Sequence, residues 1–183
     1  MKNKRPLMIM LIMLIFFVIS FLTNILGPLI PDIIKSFRLG IGLAGFLPFS
    51  FFVAYGFMSV PAGILIEKYS EKTVMIAAFM LAFIGALTFA ILPSFAVALP
   101  SLFLIGIGMA MLQVVINPLL RQSGGEEHFA FFSVLAQLVF GLASFLSPQL
   151  YSYLVLNLHK NDNSFIVRIL NPLVPVNLEW ASL

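Results

Sequence analysis

The chain contains no cysteine among its 183 residues, and only 9% of them are charged. Without cysteine there is no disulfide framework, no thiolate metal site and no thiol nucleophile. A soluble globular domain carries roughly 25% charged residues. A chain this poor in charge cannot clothe a water-soluble surface, which excludes an ordinary cytosolic enzyme, a nucleic-acid-binding domain and a disordered segment. The net charge of +3 and pI near 9.4 do not point to nucleic acid, because loop lysines beside anionic lipid account for them. The two histidines, His128 and His159, fall at loop margins, and no His/Asp/Glu cluster lies at membrane depth. No catalytic centre, metal site or cofactor site is therefore read from the sequence.

What is present is apolar: 61% hydrophobic residues and a mean hydropathy of +1.10. The charges divide it into long uncharged stretches, with 26 residues between Arg5 and Asp32, 28 between Arg38 and Glu67, 48 between Lys72 and Arg121, and 32 between Glu127 and Lys160. A bilayer-spanning helix needs about 20 apolar residues. The third stretch holds two such helices, parted near Leu92-Pro93-Ser94, so the reading is an all-α polytopic membrane protein with five spans, at 6–34, 41–66, 73–92, 97–120 and 129–155. Residues 156–183 read as an outer loop and, from the interfacial Trp180, the start of a sixth span. The basic N-terminus followed by an apolar run has the charge pattern of a signal peptide. The run is long and lacks a small-x-small cleavage site, so it reads as an uncleaved first helix. Lysine and arginine number six on the N-terminal side (Lys2, Lys4, Arg5, Lys68, Lys72, Arg121) against four opposite (Lys35, Arg38, Lys160, Arg168), which orients the N-terminus to the cytoplasm.

Membrane-depth polarity is confined to narrow stripes. Ser20, Asn24, Gly27 and Pro31 recur at helical spacing on the first span, Gly106, Ala110, Gln113 and Asn117 on the fourth, and Ser133, Gln137, Gly141 and Ser144 on the fifth. Tyr55, Ser59 and Ala62 form a shorter version on the second. Small residues alone read as packing seams. Four amides are a different matter, since burying one without a partner costs roughly 2–7 kcal/mol. Either Asn24, Gln113, Asn117 and Gln137 pair with one another across the bundle, or they line a shared polar cavity. The third span carries Ala78, Ala82, Ala86 and Ala90 and few polar groups, which makes it a packing or lipid-facing helix outside the other four. Prolines 28, 31, 61, 118 and 148 fall in the stripe-bearing spans and bend them.

The segment Gly63-Ile64-Leu65-Ile66-Glu67-Lys68-Tyr69-Ser70-Glu71-Lys72 joins spans two and three. It resembles the Gly-x-Leu-x-Asp-Arg-x-Gly-Arg-Arg/Lys loop signature of the major facilitator superfamily, with Glu67 and Lys68 for Asp and Arg, Ser70 for the second glycine and Glu71 for a basic residue. Pro61-Ala62-Gly63-Ile64-Leu65, Asn117-Pro118 and Leu135-Ala136-Gln137 further resemble the fucose–glucose/galactose–proton symporter family. The resemblance implies an N-terminal transporter half. In the family, two six-helix halves, each of inverted three-helix repeats, enclose a sugar site between them. It implies that spans one, two, four and five line the cavity, and that Gly63, Glu67, Lys68 and Lys72 belong to a cytoplasmic gate. The positions where proton-coupled members carry acids fall here on Gly27 or Asn24 and on Gln113, none of which titrates. Arg-x-Asn before Leu-Ala-Gln is replaced by Phe132 and Val134, and Phe140 replaces an asparagine of fucose permeases. Sodium coupling or facilitated diffusion suits the amides better than proton coupling, and another hexose or an amino sugar suits them better than fucose.

The expectation is therefore a sugar transporter of the bacterial inner membrane working by alternating access, of which this chain supplies five of twelve spans. Its partners would be a neutral sugar held by Asn24, Tyr55, Gln113, Asn117 and Gln137, a coupling ion (Na+ or H+), membrane lipid and a C-terminal half. The alternative is a small polytopic scaffold or assembly protein whose amides serve as interhelical glue.

Overall fold

The computed structural model describes residues 5–157, and these residues are helical apart from short connections. The helices are α1 (Arg5–Asn24), α2 (Leu26–Ser36), α3 (Ile41–Ala44), α4 (Phe46–Lys68), α5 (Glu71–Ile91), α6 (Phe95–Gly124) and α7 (Phe129–Asn157). In membrane terms they make five candidate spans: Pro6–Lys35, Ile41–Lys68, Glu71–Ile91, Phe95–Gly124 and Phe129–Leu156. The sixth span expected to begin near Trp180 lies outside the described residues.

Local chemistry sets the ends. The Ser70 hydroxyl accepts the Thr73 amide and that of Ser94 accepts the Val97 amide, so α5 and α6 each start on a serine cap. α6 stops at Gly125, whose φ of 78° is open to glycine and costly for other residues. Several helices run beyond the expected limits, α4 to Lys68, α5 from Glu71 and α6 to Gly124. Charged residues occupy their terminal turns, where the side chains reach water while the backbone stays helical, so uncharged gaps understate helix length. In the first span α1 passes into α2 through Ile25, whose backbone is helical, just before its prolines.

α6 is the hub. It carries the most continuous buried surface, including Met109, Leu112, Val115, Ile116 and Leu120. Glycines on opposite faces let its neighbours approach. A Cβ on Gly106 would lie 2.4 Å from the Phe51 carbonyl oxygen of α4, and one on Gly108 would lie 2.5 Å from that of Ala78 on α5. From the α5 side, Gly85 meets the Ser101 carbonyl in the same way, at 2.7 Å. Without a hydrophobic force between helices in lipid, such close backbone approach is a main source of attraction. α5 packs on α6 through Val74, Ala78, Ala82, Gly85 and Phe89, while Ala86 and Ala90 are exposed. A strict four-residue stripe drifts around a helix of 3.6 residues per turn, so the seam follows 78, 82, 85 and 89. Ile76, Phe79, Met80, Phe83, Leu87 and Ile91 face outward, in keeping with an outer helix.

α1 packs chiefly on α7 and also on α6. The α1–α7 seam is polar where the α4–α6–α5 seams are glycine-lined, and this difference shapes the candidate site.

Candidate functional site

The stripes divide into a bonded part and an open part. On α1, Ser20 is fully buried and its hydroxyl donates to the Phe140 carbonyl of α7 at 2.6 Å. Ser144 Oγ lies 2.9 Å from Ser20 Oγ, and Asn24 Nδ2 donates to Ser144 Oγ at 2.8 Å and to the Ser20 carbonyl at 2.8 Å. With the Ser20 proton committed to Phe140, the Ser144 hydroxyl donates to Ser20. A directed relay then runs from the Asn24 amide through Ser144 and Ser20 to the Phe140 carbonyl, each bond polarising the next. Lower on the seam, the buried Ser147 hydroxyl donates to the Phe21 carbonyl at 2.7 Å. The Asn24 amide is thus engaged in helix pairing.

The other three amides are not. Gln113 is half-buried, Asn117 and Gln137 are exposed, and none makes a hydrogen bond among the described residues. Their surroundings are open as well. A Cβ on Gly27, Gly56, Gly63 or Gly141 would meet nothing within 4 Å. The α6 stripe passes from seam to open face along its length, with Gly106 and Ala110 buried, then Gln113, then Asn117. On α7, Gln137 and Gly141 are exposed while Ser144 turns into the α1 seam. Tyr55 of α4 is half-buried, its ring stacked on Phe51 at 6.1 Å between centroids, and the Ser59 hydroxyl donates to its carbonyl. Chemically, Gln113, Asn117 and Gln137 each offer an amide donor and acceptor and Tyr55 an anchored aromatic ring, groups that suit a hydroxyl-rich neutral solute. An apolar groove of about 710 Å³ between α1 and α7, lined by Phe17, Phe21, Leu146 and Leu150 among others, contains none of the candidate amides and could bond few hydroxyls.

Around the 63–72 loop, Glu67, Lys68 and Lys72 are exposed and Gly63 is half-buried. Lys68 Nζ lies 5.6 Å from the centre of the Tyr69 ring. The pairing of Glu67, Lys68, Glu71 and Lys72 with neighbouring helix ends that their alternation allows is absent among the described residues, where the one ion pair is Arg121–Glu126 at 2.8 Å. A contact that the sequence did not announce joins the C-terminal ends of spans one and five. Tyr151 Oη donates a hydrogen bond to Asp32 Oδ2. The available signal was the continuation of the α7 face, where Phe140, Ser144, Ser147 and Tyr151 follow at helical spacing.

Residues 12–167 match the profile of the Major Facilitator Superfamily. Two similar proteins are a "Glucose/galactose transporter" of Brucella abortus (strain 9-941), 31% identical over 147 residues, and the "L-fucose-proton symporter" of Escherichia coli K12, 30% identical over 146. The matches cover 79% and 73% of this chain but 36% and 33% of those proteins, so the chain spans about a third of the length of the curated relatives it matches. A crystal structure of the Escherichia coli fucose:proton symporter superimposes with a TM-score of 0.71 at 24% identity, covering 97% of this chain and 42% of that one.

Proposed function

The chain belongs to the Major Facilitator Superfamily, and from that premise we propose that it forms the first five spans of a sugar transporter of the bacterial inner membrane, N-terminus in the cytoplasm, working by alternating access. Its substrate is a neutral hexose or amino sugar. The observation that carries this reading is the set of unbonded amides, Gln113, Asn117 and Gln137, on open faces of α6 and α7. They supply hydrogen bonds to sugar hydroxyls, and Tyr55, held against Phe51, stacks on the ring. Asn24 shares its amide with Ser144 and contributes its carbonyl oxygen to the solute. Gly63, Glu67, Lys68 and Lys72 form the cytoplasmic gate, whose closing partners belong to the other half of the transporter. The similar proteins named for glucose, galactose and fucose support a sugar as the substrate class. Gln113 does not titrate, so a coupling proton is not carried there, whereas its amide oxygen can coordinate Na+.

Uptake of labelled hexoses into liposomes containing the whole transporter tests the assignment. The Gln113→Ala/Asn117→Ala double variant is expected to lose at least about tenfold in uptake at low sugar concentration, the effect of two net hydrogen bonds. Unchanged uptake in a folded double variant overturns the site.

A further inference from the structure

α2 is joined to the rest of the fold by two weak points. At its start, Pro28 removes the amide that would bond the Asn24 carbonyl, and Pro31 removes the one for Gly27. The backbone stays helical through Ile25, whose amide bonds the Phe21 carbonyl and whose carbonyl accepts from Leu29, so the junction is a helix weakened by the two missing proline amides. At its end, Arg38 takes a left-handed φ of 49° before Gly40, a conformation that is uncommon for a residue with a side chain. Between these points α2 packs mainly on α7, burying Ile33. Its one side-chain hydrogen bond to the bundle among the described residues is that from Tyr151 to Asp32. Asp32 has no cationic partner there, and Lys35, one turn on, is exposed. A half-buried carboxylate at the rim of a span is therefore held by a single hydroxyl.

We propose that Asp32 and Tyr151 form a clasp that keeps α2 closed against α7, and that α2 is a hinged segment turning about Pro28 when the clasp opens. α2 continues the stripe of α1 that bears Asn24, so its movement uncovers that face on the membrane side opposite the N-terminus. Asp32 and Tyr151 are positioning residues in this device. They act through the angle of α2. Only the consequence for solute entry rests on the sugar reading; the hinge and clasp stand without it.

The absence of cysteine makes a direct test available. Ile33→Cys places a thiol on α2 beyond Pro28, at a position only 7% exposed in the packed segment, and its rate of reaction with a maleimide reports the opening of the segment without any solute. In the membrane-embedded protein, Tyr151→Phe and Asp32→Ala are each expected to raise that rate about two- to tenfold, the effect of one hydrogen bond lost. Asp32→Asn keeps an acceptor for Tyr151 and is expected to label near the parent rate. The Tyr151→Phe/Asp32→Ala double variant is expected to label no faster than either single variant. Parent-like labelling in Tyr151→Phe and Asp32→Ala, multiplied effects in the double variant, or an Asp32→Asn rate equal to that of Asp32→Ala would each overturn the clasp. Tyr151→Phe keeps the ring and its packing, so the test does not depend on variants that fail to fold. Loss of sugar uptake in the parent protein would leave these labelling outcomes unchanged, which separates this proposal from the transport reading.

Discussion

The carbonyl oxygen of Phe51 on α4 occupies the space that a side chain at Gly106 of α6 would need, with a Cβ there falling 2.4 Å away. Backbone opposes backbone at this point, and no flexible side chain can yield. Gly106→Ala therefore pushes the two helices apart and is expected to lower stability by about 1–3 kcal/mol, as overpacking does. Gly141→Ala, with nothing near its Cβ, is expected to leave stability unchanged or slightly raised through helix propensity. Unfolding of the detergent-solubilised protein, followed by circular dichroism, separates the two, and equal effects would remove the close-approach argument.

Ser144 accepts from Asn24 and bonds Ser20, so Ser144→Ala and Asn24→Ala should not be additive. Interhelical hydrogen bonds in membrane proteins average about 0.6 kcal/mol and reach about 1.7. A double-mutant cycle on unfolding is expected to give a coupling energy of that size. Gln137→Ala, exposed and unbonded, should cost little stability. A large loss there would mean that its amide is structural, against the solute-binding role proposed for it.

Ser101 presents the opposite case. It is 2% exposed inside the α5–α6 seam, and its hydroxyl has no hydrogen-bond partner among the described residues. Replacing an unsatisfied buried hydroxyl with a methyl group removes a desolvation cost of about 1–3 kcal/mol. Ser101→Ala is expected to be neutral or stabilising in the same unfolding assay, and marked destabilisation would reveal a partner for the hydroxyl.

The Arg121–Glu126 pair closes the turn between α6 and α7 with side chains 63% and 80% exposed. Water and salt screen such a pair, which contributes about 0–1 kcal/mol. Glu126→Gln is expected to shift unfolding by less than that, and the small difference should vanish in high salt. A salt-independent loss would indicate a buried role.

The five spans were legible because each is a long uncharged run, and a bilayer makes that pattern nearly sufficient for a helix. The packing role of Gly106 and Ala110 and the outer position of the third span were legible for a similar reason, since small size and apolarity have few uses at membrane depth. The fate of the amides was not legible. Asn24, Gln113, Asn117 and Gln137 look alike in sequence, each on a stripe of small and polar residues, but Asn24 meets Ser144 while the other three meet no partner within the described residues.

Helical periodicity fixes the direction in which a side chain points around its own axis, and the sequence by itself therefore determined the spans, the stripes and the lipid-facing apolar surface. It carries no information about which helix stands opposite. The tertiary structure decided that α1 and α7 share a polar seam, that α6 is gripped on two faces through Gly106 and Gly108, and that Asp32 and Tyr151, 119 residues apart, meet at one rim. Such pairings depend on the short range of hydrogen bonds and of backbone contact, a few ångströms. Only the three-dimensional packing of the helices brings two chosen stripes within that distance.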